Sequence, residues 1–486
     1  MSDPQGLDPA DWEAIEQQLA DFAREELSAL RGSFDKPVWR EIPESLQSEL
    51  RQEPLPRQGE DMATVIRRYR RQIRPWRNGN THPRFFGWVQ GGGNLASVFA
   101  DLAVSLLNPN VGGREHGAVH VEREVIRWCH ELFGFPQGSS GILTTGTSAA
   151  THLAIQLAAF RRLGLDSKKH GFFQAGSPLR CYCSTQGHSS IIKAVEACGI
   201  GSDHLVAIPT DAGHRIDTEA LDNAIRNDRA RGLRPFLVIG NAGTVNTGSF
   251  DDLAALRAIC DRHDCWLHVD GAFGAWMHIA GSPWSRLTEG IGAADSLAFD
   301  FHKLMSVSYE CGGLLVRDGD FHQRVYSIRP DYLAPHGQAL AGGEPWFCDF
   351  GLELSRSFRA LKVWFTFRHY GIERLGQSVA RACERTRYLA DRIRFSTHYR
   401  LCRDPVSTIV TFRLRDTTDP VEHNRRIEAI CYALQQRGEA VFSLTREDEL
   451  RVLRASVINH RTMEADIDAA VEALEAEAVR LLNLPD

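Results

Sequence analysis

The sequence predicts an α/β fold with a mostly parallel β-sheet in one large domain. Between about residues 140 and 320, short apolar runs alternate with amphipathic helical stretches. Runs that are apolar along their whole length are typical of parallel strands whose two faces are covered by helices. The chain has 486 residues, 43% of them hydrophobic, so it can bury a large core and carry smaller appended units.

Six strands of this sheet are visible as apolar runs. They are predicted at residues 141–144, 180–183, 235–240, 266–269, 296–299 and 313–316. Helices are predicted between them, for example from Thr147 to Arg162 and from Asp251 to Arg262. Ligands of such sheets bind at the carboxyl ends of the strands, so the residues that directly follow these runs are the candidate site residues.

Residues 1–90 are predicted to form a helical segment without a core of its own. An amphipathic helix and a proline-broken extended stretch lie between about Asp8 and Leu55, and helical spacing returns over residues 66–73. The second stretch is rich in arginine. We interpret it as a helix with a salt-bridged basic face rather than as an RNA-binding surface. A segment of this kind is expected to pack on a partner subunit.

The large domain is predicted to span residues 91–395 and to end in a helical passage from about Ser355 to Arg394. Residues 396–486 are predicted to form a small C-terminal α+β domain. Its strands are expected at 407–414, 440–443 and 450–456, and its helices at 420–437 and 463–481.

Composition argues against several classes of protein. The formal net charge of −6 is unfavourable for nucleic acid as the main partner. No apolar run reaches the ~20 residues of a membrane-spanning helix, and the polar N-terminus does not resemble a signal peptide. The eleven scattered cysteines are typical of a reducing compartment, so we expect a cytoplasmic protein that does not bind membranes.

No metal site is expected. Cys260, His263, Cys265 and His268 are zinc-ligand types, but their spacing matches no known zinc arrangement. The stretch also runs from a predicted helix end into a buried strand, so the four side chains would point in different directions.

A lysine and an aspartate that follow two of the strands carry the strongest functional signal. Asp270 ends the run at 266–269, and Lys303 comes shortly after the run at 296–299. A lysine can form a Schiff base with an aldehyde, and an aspartate can hold a proton on a pyridine nitrogen. The pair therefore predicts a site for pyridoxal 5′-phosphate.

Other polar residues are predicted at the same edge of the sheet. Gly146, Thr147 and Ser148 open a helix, where backbone N–H groups and the helix dipole favour a phosphate. Ordinary capping of the helix by Thr147 is the alternative if this stretch is taken alone. His188, which follows another strand, could stack on a flat cofactor, and Thr244 follows the strand at 235–240.

These residues resemble the group II pyridoxal-phosphate-dependent amino acid decarboxylases, the family of aromatic-amino-acid, histidine and glutamate decarboxylases. The similarity covers nearly the whole chain and includes motifs at residues 82–86, 121–125, 294–296, 302–303 and 358–364. It implies fold type I with a seven-stranded sheet. It also implies an obligate homodimer, with the N-terminal segment wrapped around the partner and the active site shared at the interface.

The resemblance implies a role for each matching residue. Lys303 would form the Schiff base, and Asp270 would hold the pyridinium proton. His188 would stack on one face of the ring, and the Ala272 methyl group would contact the other. Gly146, Thr147 and Ser148 would hold the phosphate, with His302 and Asp300 as helping residues.

Three further positions bear on the reaction. Residues 329–333 match the mobile catalytic loop of the family, and either Tyr332 or His188 would deliver a proton to Cα after carbon dioxide has left. Phenylalanine in place of Tyr332 accompanies aldehyde synthases, so tyrosine favours plain decarboxylation. Thr244 matches a family threonine beside the cofactor. Asp300 departs from the pattern of the family, because some relatives carry asparagine at this position.

The sequence leaves the substrate open. Four residues stand where the family lines its substrate pocket, and they make it more polar than an aromatic one: Gln90, Gly91, Asn110 and Ser355. Of these, Asn110 matches a phenylalanine that the partner subunit contributes in the aromatic enzymes. An aromatic or imidazole amino acid is the first candidate, and an acidic or other polar one is the alternative. An aldehyde synthase, an aminotransferase with Arg454 as carboxylate clamp, and a catalytically inactive binding or regulatory homologue also stay open.

Overall fold

The computed structural model describes residues 11–172, 176–328, 338–415 and 419–482. Its N-terminal helices are α1 (Trp12–Arg31), α2 (Glu44–Gln52) and α3 (Met62–Gln72). The extended stretch predicted before residue 55 is wrong in part, because Pro43 precedes α2 and leaves its interior free to be helical. The basic face of α3 is paired with glutamates, as in the contact of 2.8 Å between Arg68 Nη1 and Glu53 Oε1.

The large sheet has seven strands. They are β1 (Ser140–Thr144), β2 (Leu179–Ser184), β3 (Leu205–Ile208), β4 (Arg234–Asn241), β5 (Trp266–Asp270), β6 (Ser296–Asp300) and β7 (Gly312–Val316). Their order is β1-β7-β6-β5-β4-β2-β3. Every neighbouring pair from β3 to β6 is parallel, whereas β7 is antiparallel to both of its neighbours. The predicted fold class is therefore confirmed.

The helices of this part of the chain are α4 (Leu95–Leu107), α5 (Gly117–Phe133), α6 (Thr147–Leu163), α7 (Ser167–His170), α8 (Ser189–Ala197), α9 (Thr218–Ala230), α10 (Leu253–Arg262), α11 (Gly319–Tyr326), α12 (Ala360–Tyr370) and α13 (Ile372–Arg394). On β5, His268 and Asp270 share one face because side chains alternate along a strand. Helix α6 covers that face, where the Thr151 hydroxyl lies 3.3 Å from His268 Nε2. None of the helices among the described residues is long and apolar enough to cross a membrane.

The C-terminal part contains a second, antiparallel sheet in the order β10-β11-β9-β8. Its strands are β8 (Tyr399–Leu401), β9 (Ile409–Leu414), β10 (Ser443–Glu447) and β11 (Leu450–Ser456), and its helices are α14 (Pro420–Gln436) and α15 (Glu464–Leu482). The strand predicted at 440–443 begins only at Ser443. Val441 instead pairs with the N-terminal segment, since the N–H of Phe86 donates to the Val441 carbonyl at 2.7 Å.

Two large apolar cores lie on the two sheets. The first surrounds the seven-stranded sheet, and the second lies between the four-stranded sheet, α14 and α15. Phe86 and the last turns of α13, through Leu389 and Ile393, also belong to the second core. The domain boundaries near residues 90 and 395 stay predictions.

Candidate active site

The predicted site residues come together because several strands end at one edge of the large sheet. Asn241, at the end of β4, is paired in register with Asp270 at the end of β5, which in turn is paired with Ala298 of β6. The chain continues from β6 to Lys303. A cavity of about 450 Å³ lies at this edge. Ten of the predicted residues line it: Gln90, Thr147, Ser148, His188, Thr244, Asp270, Ala272, Asp300, His302 and Lys303.

The other predicted residues lie beside the cavity or away from it. Gly146 is the N-cap of α6, and Gly91 packs so closely that a Cβ atom there would lie 2.2 Å from the His302 carbonyl oxygen. Asn110 and Ser355 are not among the residues that line the cavity. The Asn110 side chain instead accepts the N–H groups of Gly112 and Arg356, each at 2.9 Å.

Tyr332 lies outside the described residues, as does the whole loop at 329–337. The candidate zinc residues separate as expected from their positions: His263 Nε2 contacts Asp222 at 2.9 Å, whereas His268 Nδ1 contacts Ser296 at 2.9 Å. Within the described ranges, no cluster of histidine, cysteine or acidic side chains could bind a metal ion.

Asp270 is a buried carboxylate, and one of its two oxygens accepts a backbone N–H. Its side chain is 6% exposed, and Oδ1 accepts the Ala272 N–H at 3.1 Å. Burial raises the pKa of Asp270, and the nearby positive charge of Lys303 opposes this effect. A carboxylate in such a position can accept a strong hydrogen bond from a protonated nitrogen, because charge-assisted hydrogen bonds are stronger where water is excluded.

Lys303 contacts a second buried carboxylate, that of Asp300. The Lys303 ammonium lies 2.9 Å from Asp300 Oδ2, and the other oxygen, Oδ1, accepts the Thr147 N–H at 2.7 Å. His302 lies beside this pair, with Nε2 at 3.7 Å from Asp300 Oδ2. Burial lowers the pKa of His302, which favours the neutral imidazole.

His188 has a defined tautomer. Its Nδ1 accepts the backbone N–H of Ser190 at 3.2 Å, and the Ser190 hydroxyl lies 2.7 Å from the same atom. A backbone N–H can only donate, so Nδ1 of the neutral ring carries no proton and Nε2 does. Burial lowers the pKa of His188, and the negative charge of Asp270 opposes this. The side chain therefore offers the cavity a neutral N–H donor.

The N-terminus of α6 suits a phosphate group. The Thr147 hydroxyl is buried and has no hydrogen-bond partner among the described residues, and the N-cap Gly146 has no side chain. Free donors at a helix N-terminus favour an anion. A phosphate-binding corner, the buried carboxylate of Asp270 and the amine of Lys303 together fit pyridoxal phosphate.

Several lining residues were not predicted as parts of the site. They are Trp88, Val89, Ser190, Val245, Asn246, Phe273, Tyr309, Ser443 and Leu444. Tyr309 packs against His302, with ring centroids 4.4 Å apart and ring planes tilted by 35°, and burial raises the pKa of Tyr309 to about 12. Its position six residues after Lys303 is the one local signal that could have indicated it.

Arg454, considered in the sequence only as an aminotransferase clamp, also lines the cavity. The side chain is 3% exposed and donates to the carbonyl oxygens of Val245 at 2.7 Å and Trp88 at 3.1 Å. Its Nη2 is buried and has no partner among the described residues. Burial lowers the pKa of Arg454 to about 10, but the guanidinium stays charged at neutral pH.

Comparison with known proteins places these residues in a wider context. A family model described as the pyridoxal-dependent decarboxylase conserved domain matches residues 43–415. The chain is 30% identical to an aromatic-L-amino-acid decarboxylase of Bacillus atrophaeus, over 95% of this chain and 94% of that protein. It is also 30% identical to cysteine sulfinic acid decarboxylase of Rattus norvegicus, over 90% of each chain.

Two solved structures show the same architecture. The crystal structure of mouse CSAD has a TM-score of 0.88 and 26% identity, covering 97% of this chain and 99% of that chain. The crystal structure of Oryza sativa TDC with PLP and tryptamine has a TM-score of 0.90 and covers 98% of this chain and 100% of that chain. At 22% identity, this second likeness shows the fold alone.

Proposed function

The chain belongs to the pyridoxal-dependent decarboxylase family, and from this premise we propose how its own residues remove the α-carboxylate of an L-amino acid. It is a pyridoxal-phosphate-dependent carboxy-lyase of fold type I, and the open points are residue roles, substrate and assembly. The observation that carries the proposed roles is the meeting of Lys303, Asp270 and the N-terminus of α6 around one cavity.

Five residues are proposed to hold the cofactor. Thr147 and Ser148, at the N-terminus of α6, bind the phosphate through backbone and hydroxyl groups. Asp270 holds the proton on the ring nitrogen, and Lys303 supplies the amine that bonds to the aldehyde. His188 contacts one face of the ring. When bound, pyridoxal phosphate supplies an aldehyde for the substrate amine and a ring that accepts the electron pair left behind by carbon dioxide.

Thr244 and Ala272 are proposed to complete the walls beside the cofactor, since both line the cavity with Asp270. Gly146 lets the chain enter α6 without a side chain beside the phosphate, and His302, whose Nε2 lies 3.7 Å from Asp300 Oδ2 at the same corner, helps to hold the phosphate. The His188 Nε2–H can orient a polar group of the substrate, but a neutral imidazole is a weak acid. We therefore propose that Tyr332 donates the proton that reaches Cα. His188 would position Tyr332 by donating a hydrogen bond.

The substrate side chain is proposed to lie between Trp88, Leu444 and Gln90, which line the same cavity. Aromatic walls at Trp88 and Tyr309 favour an aromatic or imidazole amino acid. One observation favours an acidic substrate as the second candidate, namely the buried guanidinium of Arg454 with Nη2 unpaired. If Arg454 held the α-carboxylate, it would stabilise that group against loss, so we expect it to bind a side-chain acceptor instead.

A panel of amino acids tests both substrate classes. The wild-type protein should release one amine above all others, detected by mass spectrometry together with carbon dioxide. For an acidic substrate, Arg454→Met should raise KM by roughly 10²-fold or more, since it removes a charge-assisted contact. For an aromatic or imidazole substrate, the same variant should change KM less than roughly tenfold. Absence of any amine from a fully loaded protein would overturn the proposed function.

We also propose that the enzyme is a cytoplasmic homodimer with a shared site. The outward side of α4 exposes a row of large apolar side chains: Leu95, Val98, Phe99, Leu102, Leu106 and Leu107. A continuous apolar surface of this kind is typical of a subunit interface. No disulfide joins cysteines within the described part of the chain, which suits a reducing compartment.

A further inference from the structure

One carboxylate contacts both of the groups that we assign to the cofactor. Asp300 is 2% exposed at the end of β6. Its Oδ1 accepts the Thr147 N–H at 2.7 Å, and its Oδ2 lies 2.9 Å from the Lys303 ammonium. Asp300 thus contacts both the reactive lysine and the corner proposed for the phosphate.

The position of Asp300 follows from the start of α6. The N-cap of this 17-residue helix is Gly146, which has no side chain and so cannot cap the first N–H groups. Asp300 supplies the missing cap from a different strand. A negative charge is stabilised at a helix N-terminus by the same N–H groups and dipole that would hold a phosphate.

Asp300 does not pair with every hydrogen-bond donor of this corner, because the Thr147 hydroxyl is left over. This hydroxyl is buried and has no partner among the described residues, although the backbone N–H of the same residue is satisfied. The corner thus retains a donor for a second anion. A phosphate bound there would be close to the Asp300 carboxylate, and like charges in a site with little water repel each other strongly.

We propose that Asp300 substitutes for the cofactor's phosphate in the cofactor-free protein. Its carboxylate caps α6 and neutralises Lys303, so the Thr147 N–H and the lysine both have a partner before the cofactor binds. The same charge opposes the phosphate when the cofactor arrives, so Asp300 limits cofactor affinity. This inference rests on the proposed roles of Thr147 and Lys303.

The test uses ligands that cannot bond to Lys303. Pyridoxine 5′-phosphate carries the phosphate but no aldehyde, and pyridoxine lacks both. Titration calorimetry on cofactor-free protein should show that Asp300→Asn binds pyridoxine 5′-phosphate roughly tenfold or more tightly than wild type. The affinity for pyridoxine should change by less than about twofold, because no phosphate is present to be repelled. The asparagine oxygen can still accept the Thr147 N–H, so the helix keeps its cap.

A matched control removes another capping aspartate. Asp252 caps α10 through the Ala255 N–H at 2.9 Å and is exposed, so Asp252→Asn should leave both affinities unchanged. A second readout is thermal unfolding of the cofactor-free protein, which should occur at lower temperature in Asp300→Asn because Lys303 loses its partner. Asp300→Ser, which is also neutral, replaces Asp300→Asn if the latter does not fold by circular dichroism.

Two negative results have different meanings. Equal or weaker binding of pyridoxine 5′-phosphate by the neutral variants would overturn the role of Asp300 and leave the decarboxylase intact. Failure of that ligand to bind wild type or any variant would instead overturn the proposed phosphate corner at Thr147.

Discussion

Replacing Asp270 by asparagine should separate cofactor binding from catalysis. The amide oxygen can still accept the Ala272 N–H that Oδ1 accepts at 3.1 Å, and the two side chains have nearly the same volume. The fold and the phosphate corner at Thr147 should therefore be retained. The negative charge that holds a proton on the ring nitrogen is lost, so the ring accepts the electron pair left by carbon dioxide less well.

The size of the effect follows from the burial of Asp270. Its carboxylate is 6% exposed, so no solvent replaces the missing charge. Loss of a pre-organised charged partner in such a site typically costs ~3–4 kcal/mol in the transition state, and ~1.4 kcal/mol corresponds to tenfold in rate. We therefore expect kcat to fall by about 10²–10³-fold.

The assay compares carbon dioxide release under saturating cofactor with the amount of cofactor that the protein retains after gel filtration. Retained cofactor with a strongly reduced rate is the expected outcome. Near wild-type turnover in Asp270→Asn would show that this carboxylate does not face the ring nitrogen. Loss of both cofactor and rate would show that Asp270 acts mainly in binding.

Two further predictions concern the loop and the interface. Tyr332, which lies outside the described residues, should be the proton donor. An oxygen electrode should therefore show no oxygen consumption by the wild type. Tyr332→Phe should consume oxygen and yield aldehyde, ammonia and peroxide. Unchanged amine formation by this variant would exclude Tyr332 as the donor. Phe99→Glu places a charge on the exposed apolar side of α4, so analytical ultracentrifugation should detect monomers and activity should fall. An active monomer would contradict the shared site.

Local sequence patterns predicted those site residues that directly follow buried strands. Asp270 and Lys303 could be located because an apolar run precedes each of them and parallel strands end at a common edge. Trp88 and Arg454 come from the N-terminal segment and from β11, and they reach the cavity only through tertiary packing. No local pattern marks residues of that kind.

The errors in the fold have a similar origin. β3 was missed because it is an edge strand with one neighbour and partly exposed side chains, so its apolar signal is weak. The helical passage from Ser355 is interrupted at Gly371, whose φ of +71° ends α12 before α13 begins. Asn110 and Ser355 stay predictions, because Asn110 matches a position that the family contributes from the partner subunit.

The pairing of Phe86 with the C-terminal sheet has a consequence for the order of events during synthesis. Phe86 lies in the second core, and its carbonyl accepts the N–H of Ser456 at 2.8 Å. The ribosome makes Phe86 first and the strands that surround it about 350 residues later, at about 5–20 residues per second. For that interval of tens of seconds, Phe86 cannot pack into the second core, because the strands that form this core have not been made. The segment around Phe86 must therefore be kept from aggregating until the last strand emerges. We expect chaperones to bind the nascent chain mainly at this segment.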